Sequence, residues 1–267
     1  MELPARAATG LLIALGIAVA ARRARSLDGS GAAAATALGT LAIAAGWGWG
    51  ALLIVYFVSS SALSRWRRAE KAARTGAVVE KAGPRDARQV LANGGAFAVA
   101  CAGALLSTTP HALLVWGAAG AGALTASAAD TWATEVGTAV GGVPRALLGG
   151  RRVAPGTSGA VSVAGTTALV AGALFVALTA RLLGVAPLGS ALVAGVAGAV
   201  GDTLLGAVVQ ERRWCERCAA PTERRVHDCG TRTRRVGGLA AVDNDVVNVA
   251  CTAIGAAVGA AMGAAVA

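Results

Sequence analysis

A chain of 267 residues that is 55% hydrophobic and only 14% charged departs far from a soluble domain, where about a quarter of residues carry charge. Its mean hydropathy of +0.63 and its long apolar runs exclude a soluble fold. A net charge of +10 suggests nucleic acid in a soluble protein; in a membrane protein it speaks first for orientation, and no nucleic-acid partner is expected.

Eight spans are predicted in chain order, at about 5–21, 31–45, 47–64, 91–108, 111–139, 159–181, 186–210 and 241–266. The second is the weakest, so seven is the alternative count. The first run ends in Ala-Val-Ala-Ala like a signal peptide, but Arg22, Arg23 and Arg25 follow directly and read as the flank of a first span. The expected fold is all-α: one integral membrane domain over residues 1–267, a polytopic helix bundle packed through Gly and Ala. Gly195-Gly198-Gly201 and Gly255-Gly259-Gly263 supply the small-residue spacing that lets helices approach closely. No internal repeat is visible.

All the Lys and Arg except Arg6 and Arg181 fall between spans 1 and 2, 3 and 4, 5 and 6, or 7 and 8. The 3–4 loop alone carries Arg65, Arg67, Arg68, Lys71, Arg74, Lys81, Arg85 and Arg88. The positive-inside rule then makes these loops cytoplasmic, including the longer ones at about 65–90, 140–158 and 211–240. With eight spans both termini lie outside in a multi-pass protein of the cell membrane.

On that orientation the polar residues of the spans share one side. Asp28 precedes span 2 and Asn93 opens span 4. Asp130 and Glu135 lie late in span 5, Asp202 late in span 7, and Asp243, Asn244, Asp245 and Asn248 open span 8. Ionisable groups are costly in a membrane and mark function by default. In span 5, Ser127, Asp130 and Thr134 share one helical face while Thr131, Glu135 and Thr138 share the next. Such oxygen ligands suit Mg²⁺, which makes Asp130, Glu135, Asp202, Asp243 and Asp245 the candidate metal ligands. A wetted helix end, an N-cap or a packing ion pair is the plainer account of any one of them.

Arg151-Arg152 lead into Pro155-Gly156-Thr157-Ser158-Gly159, just before span 6. Arg152 and the turn Gly156, Thr157, Ser158, Gly159 form a candidate phosphate cradle at a helix N-terminus, with an ordinary Ser/Thr cap as the alternative. Arginine for phosphate beside carboxylates for Mg²⁺ is the recurring kit of phosphoryl transfer. In the last loop, Cys215-x-x-Cys218 and His227-x-Cys229 are either four ligands of a structural Zn²⁺ or solvated thiols. Cys101 and Cys251 read as packing residues, and His111 sits at the outer interface without an evident partner.

Several of these segments are motifs in a fixed order: Ser26-Leu27-Asp28-x-Ser30-Gly31, Ser59-Ser60-Ser61-Ala62-Leu63-Ser64-Arg65-Trp66, Arg88-Gln89-Val90-Leu91-Ala92-Asn93-Gly94-Gly95 and Asp130-Thr131-Trp132-Ala133-Thr134-Glu135. Pro155-Gly156-Thr157-Ser158-Gly159, Asp202-Thr203-Leu204-Leu205-Gly206 and Asp243-Asn244-Asp245-x-Val247-Asn248 complete the series. The series resembles the integral membrane family named domain of unknown function ninety-two, whose members include the human transmembrane protein nineteen and the plant phytyl-phosphate kinase. The resemblance spans nearly the whole chain; the Cys/His loop lies outside the shared core.

The resemblance implies conversion of an isoprenoid monophosphate to its diphosphate with CTP as donor. The expected activity is therefore Mg²⁺-dependent transfer from a nucleotide to a membrane lipid phosphate. Asp130, Glu135, Asp202, Asn244 and Asn248 are its catalytic candidates, and Arg152, Gly156–Gly159 and Asn93 its phosphate-binding ones. A transporter of an anion or small phosphorylated metabolite is the alternative, and a scaffold held together by its polar residues is the third.

Overall fold

In hydrocarbon every backbone N–H and C=O must pair within its own segment or a closed sheet, so long apolar runs become helices. A computed structural model describes residues 2–76, 78 and 83–266; Lys81, one of the loop cations, lies outside the described residues. The bundle is built from α1 (Leu3–Arg23), α2 (Gly29–Ala45), α3 (Trp47–Arg65), α5 (Ala87–Leu106), α6 (Pro110–Val140), α7 (Val163–Leu182), α8 (Leu188–Val208) and α9 (Asn244–Val266), with a short polar α4 (Arg68–Thr75) after α3. The protein is thus a multi-pass, all-α membrane bundle, as its composition predicts.

Seven of these helices are long and apolar enough to cross a membrane; α2, with 17 residues, is shorter. At 1.5 Å per residue it reaches about 25 Å, under the roughly 30 Å of hydrocarbon. It packs against α1, α3 and α5 within the bundle, and it runs antiparallel to α1, since Arg6 near the start of α1 reaches Ala44 at the end of α2. The four basic loops consequently meet on one face. Arg65 donates to Ser26 Oγ, the Arg85 N–H donates to Ser26 O (2.9 Å), and Arg224 Nη2 donates to Gly76 O (3.3 Å). Arg6 lies at the other end, its Nε donating to Ala44 O (2.8 Å).

The 31-residue α6 is the axis of the bundle, packing on α3, α5, α7, α8 and α9. Small residues permit this. A Cβ on Gly259 would lie 2.2 Å from Ala118 O, and one on Gly255 would lie 2.6 Å from Gly122 O. Side chains at these positions would force α9 off α6.

Helix starts follow local chemistry. Asp28 caps α2 by accepting from the Gly31 N–H (2.7 Å) and the Ser30 hydroxyl (2.8 Å). These donors hold its carboxyl below the usual carboxylate range. Asp86 and Gln89 form a capping box on α5, and Asp243 caps α9 by accepting from the Val246 N–H (3.1 Å).

Two features of the connecting segments differ from expectation. The sixth span begins at Val163, capped by Ser162, rather than at Gly159. The cause is a two-residue strand, β2 (Ala160–Val161), which pairs antiparallel with β1 (Arg145–Ala146) and keeps the chain extended. The last loop holds a three-stranded antiparallel sheet that hydropathy did not suggest: β3 (Arg212–Cys215) lies between β4 (Ala220–Thr222) and β5 (Arg234–Gly237).

Candidate functional site

Where α6 leaves the bundle toward the basic loops, Asp130 meets Asp202 of α8. The two side chains line the same cavity, and Asp202 Oδ2 is buried with no hydrogen-bond partner among the described residues. Acidic groups set between packed membrane helices are costly and mark function by default.

One turn further along α6, Glu135 is already partnered. Its Oε1 accepts from Ser64 Oγ (2.6 Å) and its Oε2 pairs with Lys71 of α4. Lys71 is 7% exposed and also donates to the carbonyl oxygens of Leu63 (2.7 Å) and Ser64 (3.0 Å). Glu135 therefore ties α4 to α6, and its charge is spent on an ion pair instead of remaining open for a metal.

The start of α9 is divided in the same way. Arg88 of α5 bonds both oxygens of Asp243 (3.0 and 2.8 Å) and reaches Asp245 Oδ2 at 3.4 Å. These two acids, grouped from sequence with the metal ligands, are engaged in an interhelical clamp. Asn244 and Asn248 line a cavity. Asn93 closes a buried relay: Ser127 Oγ donates to Asn93 Oδ1 (2.7 Å), which leaves the Tyr56 hydroxyl to donate to Ser127 (2.7 Å).

Two cavities meet at these residues. A polar chamber of about 480 Å³ is lined by Arg25, Arg65, Arg68, Lys71, Arg74 and Arg85, by Asp130, Glu135, Asp202, Glu223, Asp243 and Asp245, and by the turn Gly156–Gly159. An apolar slot of about 230 Å³ runs into the bundle between Ile17, Leu38, Ile43, Leu53 and Phe57, with Asn93, Asn244 and Asn248 among its polar lining residues. Both are lined by Arg85, Gln89, Asp130, Thr134, Glu135 and Asn244.

The turn Gly156–Gly159 reaches the chamber as a loop, since the helix starts only at Val163. Gly156 and Gly159 have positive φ (85° and 71°), and a Cβ on Gly159 would lie 2.4 Å from Ala207 Cα. Only glycine lets this turn lie against α8. Ser158 Oγ donates to Glu223 Oε1 (2.6 Å), which also accepts from Gln210 Nε2 (2.9 Å). Arg152, by contrast, is exposed, bridges to Arg145 and does not line the chamber. His111 is exposed, and Cys101 and Cys251 are buried in the bundle.

Sequence reasoning passed over three residues that the fold brings here. Lys71 and Arg85 counted only toward orientation, although the amphipathic α4 carrying Lys71 departs from an unstructured loop. Glu223 lay in the Cys/His loop with no motif to mark it.

The model of the integral membrane protein family DUF92 matches residues 12–256. The chain belongs to that family. It is also similar to Protein PGR of Arabidopsis thaliana, with 29% identity over 224 residues that cover 74% of this chain and 75% of the relative. No solved structure matches. The match takes in every helix of the chamber, from α2 through the polar start of α9.

Proposed function

We propose that this DUF92 protein is an isoprenyl-phosphate kinase, which transfers the terminal phosphoryl group of CTP to an isoprenoid monophosphate at the membrane surface. The observation that carries this reading is the shared wall of the two cavities: an apolar slot opens directly onto a chamber of cations and carboxylates. A prenyl chain would lie along Leu38, Ile43, Leu53 and Phe57, with its phosphate emerging beside Arg85 and Asn244. Arg65, Arg68 and Arg74 would neutralise the triphosphate of the donor. The choice of substrate class and nucleotide draws support from the family's resemblance to plant phytyl-phosphate kinase.

Asp130 and Asp202 fit Mg²⁺, because two carboxyls on the chamber wall offer oxygen ligands and Asp202 Oδ2 is buried without a hydrogen-bond partner. The ion would supply charge neutralisation on the donor phosphates. In the transfer, an oxygen of the prenyl phosphate attacks the γ-phosphorus, the bond to the β-phosphate oxygen breaks, and CDP leaves. A phosphate monoester is already anionic near neutral pH, with a second pKa of about 6, so no base is required. The work of the chain is then positioning and charge stabilisation. Lys71 holds Glu135 in place, and the Tyr56–Ser127–Asn93 relay fixes Tyr56 and Asn93 in the wall of the slot.

In this reading the chamber faces the cytoplasm, where nucleotide is available, since the positive-inside rule favours that side for the basic loops; with eight spans both termini would lie outside the cell membrane. A transporter of phosphorylated anions would need polar groups along the whole path. Tyr56, Asn93, Thr131 and Asn248 add polar groups to the slot, but Ile17, Leu38, Ile43, Leu53 and Phe57 give it a largely apolar wall, which favours a lipid chain over a hydrated anion.

The test is phosphate transfer by purified, detergent-solubilised protein given labelled CTP or ATP, Mg²⁺ and a panel of prenyl alcohols and monophosphates. Diphosphate formation that Asp130→Asn abolishes is the expected result. No turnover across the panel, with flux of a phosphorylated solute in proteoliposomes, would replace the kinase with a transporter.

A further inference from the structure

Between Glu211 and Ala240 the chain folds into a sheet without a hydrophobic core: Cys215 is the only buried apolar residue there, while Val226, Val236 and Leu239 are exposed. A segment of about thirty residues with so little apolar burial of its own gains its fixed shape from contacts with its surroundings or from a staple. The segment supplies one candidate. Cys215 ends β3 and Cys218 sits in the turn to β4, while His227 and Cys229 lie in a second turn closed by the Gly230 N–H on His227 O (2.8 Å). The two turns face each other, and the ligand atoms of all four residues lie within 4.8 Å of one another.

We propose that Cys215, Cys218, His227 and Cys229 bind one structural Zn²⁺, and that this ion takes the place of a core in the loop. Three observations carry the assignment. The Cys215 and Cys229 sulfurs are 3.6 Å apart, close to the roughly 3.8 Å edge of a tetrahedron with Zn–S bonds of about 2.3 Å. His227 is 8% exposed, yet neither ring nitrogen has a hydrogen-bond partner among the described residues. A buried imidazole with both nitrogens idle is costly unless one of them ligates a metal. Three sulfurs and one nitrogen are a closed, soft set, which suits structural zinc and leaves no position for a reacting water.

The ion would also have a reach beyond its own loop. Strand β4 runs from the Cys218 turn to Thr222, and the next residue is Glu223, held by Ser158 and Gln210 at the chamber wall. Fixing the two turns fixes the strand that delivers Glu223. The assignment does not depend on the kinase reading, because metal content is measured without substrate.

The full-length protein, purified in mild detergent without chelator, is analysed for metals by mass spectrometry. One zinc per chain is expected, lost in Cys215→Ser and in Cys229→Ser. Cobalt substitution should give a thiolate charge-transfer band and the strong visible bands of a tetrahedral site. Should the variants fail to accumulate, the wild type still decides. Chelation should speed tryptic cleavage at Arg217, Arg224 and Arg225 roughly tenfold or more, and Zn²⁺ but not Mg²⁺ should restore protection. Metal-free protein with freely titrating thiols, or a Cys215–Cys229 disulfide, would overturn the assignment.

Discussion

The polar chamber and the apolar slot share Arg85, Gln89, Asp130, Thr134, Glu135 and Asn244, yet the remaining walls of one are mainly polar and charged and those of the other mainly Leu, Ile, Ala and Phe. Both depend on one end of α6, whose neighbouring polar faces present Asp130 and Glu135 a little over one turn apart. The difference lies in what closes over that end. On one side the extramembrane segments bring Arg65, Lys71, Arg74 and Glu223; on the other, α1, α2 and α3 bring only side chains that lipid would tolerate. A headgroup and a hydrocarbon tail need two such environments at one boundary, and membrane proteins place irregular, polar backbone only where it borders a cavity.

The largest expected effect separates the carboxyl pair from every other acid of the chamber. Asp130→Asn and Asp202→Asn should each lower phosphoryl transfer about a thousandfold, roughly 4 kcal/mol of transition-state stabilisation, with helical circular dichroism unchanged. Next comes the ion pair that carries the chamber floor. Lys71→Ala leaves Glu135 half-buried without its cation, and thermal unfolding in detergent should report a loss of about 2–3 kcal/mol. Equal stability in that variant would show that the pair contributes nothing to the floor.

A smaller effect sharpens the role of the slot. Leu53→Trp should fill it and raise KM roughly tenfold for long prenyl phosphates while sparing short ones, since added bulk in an apolar pocket costs about 1–3 kcal/mol. A uniform loss across chain lengths would show that the tail lies elsewhere. The smallest effect belongs to the exposed pair of Arg234 with Glu216, at 3.1 Å on the loop surface. Arg234→Ala should change stability by less than about 0.5 kcal/mol, which makes it the control for charge loss.

Among the site residues, legibility varied with how local the signal was. Asp130 and Asp202 stood out because an acid inside an apolar run is costly wherever the helix goes. Asp243 and Asp245 stood out for the same reason, but their partner, Arg88, lies on another helix 155 residues away. Glu135 looked equivalent to Asp130 until α4 folded back and set Lys71 against it. Arg152 looked like a phosphate ligand because it precedes Gly156–Gly159, yet pairing of β1 with β2 directs the chain so that the turn lines the chamber and Arg152 does not.

Span positions, the alternation of basic and neutral loops and the family were all determined by the sequence alone, because hydropathy and charge act over a single helix length and need no partner. The lateral order and rotation of the helices came only with the tertiary structure. They decide which carboxylates are neutralised by Lys71 and Arg88 and which are left facing each other. Contacts such as Gly259 on Ala118 set that arrangement, and close packing between residues far apart in the chain has no signature in any one segment.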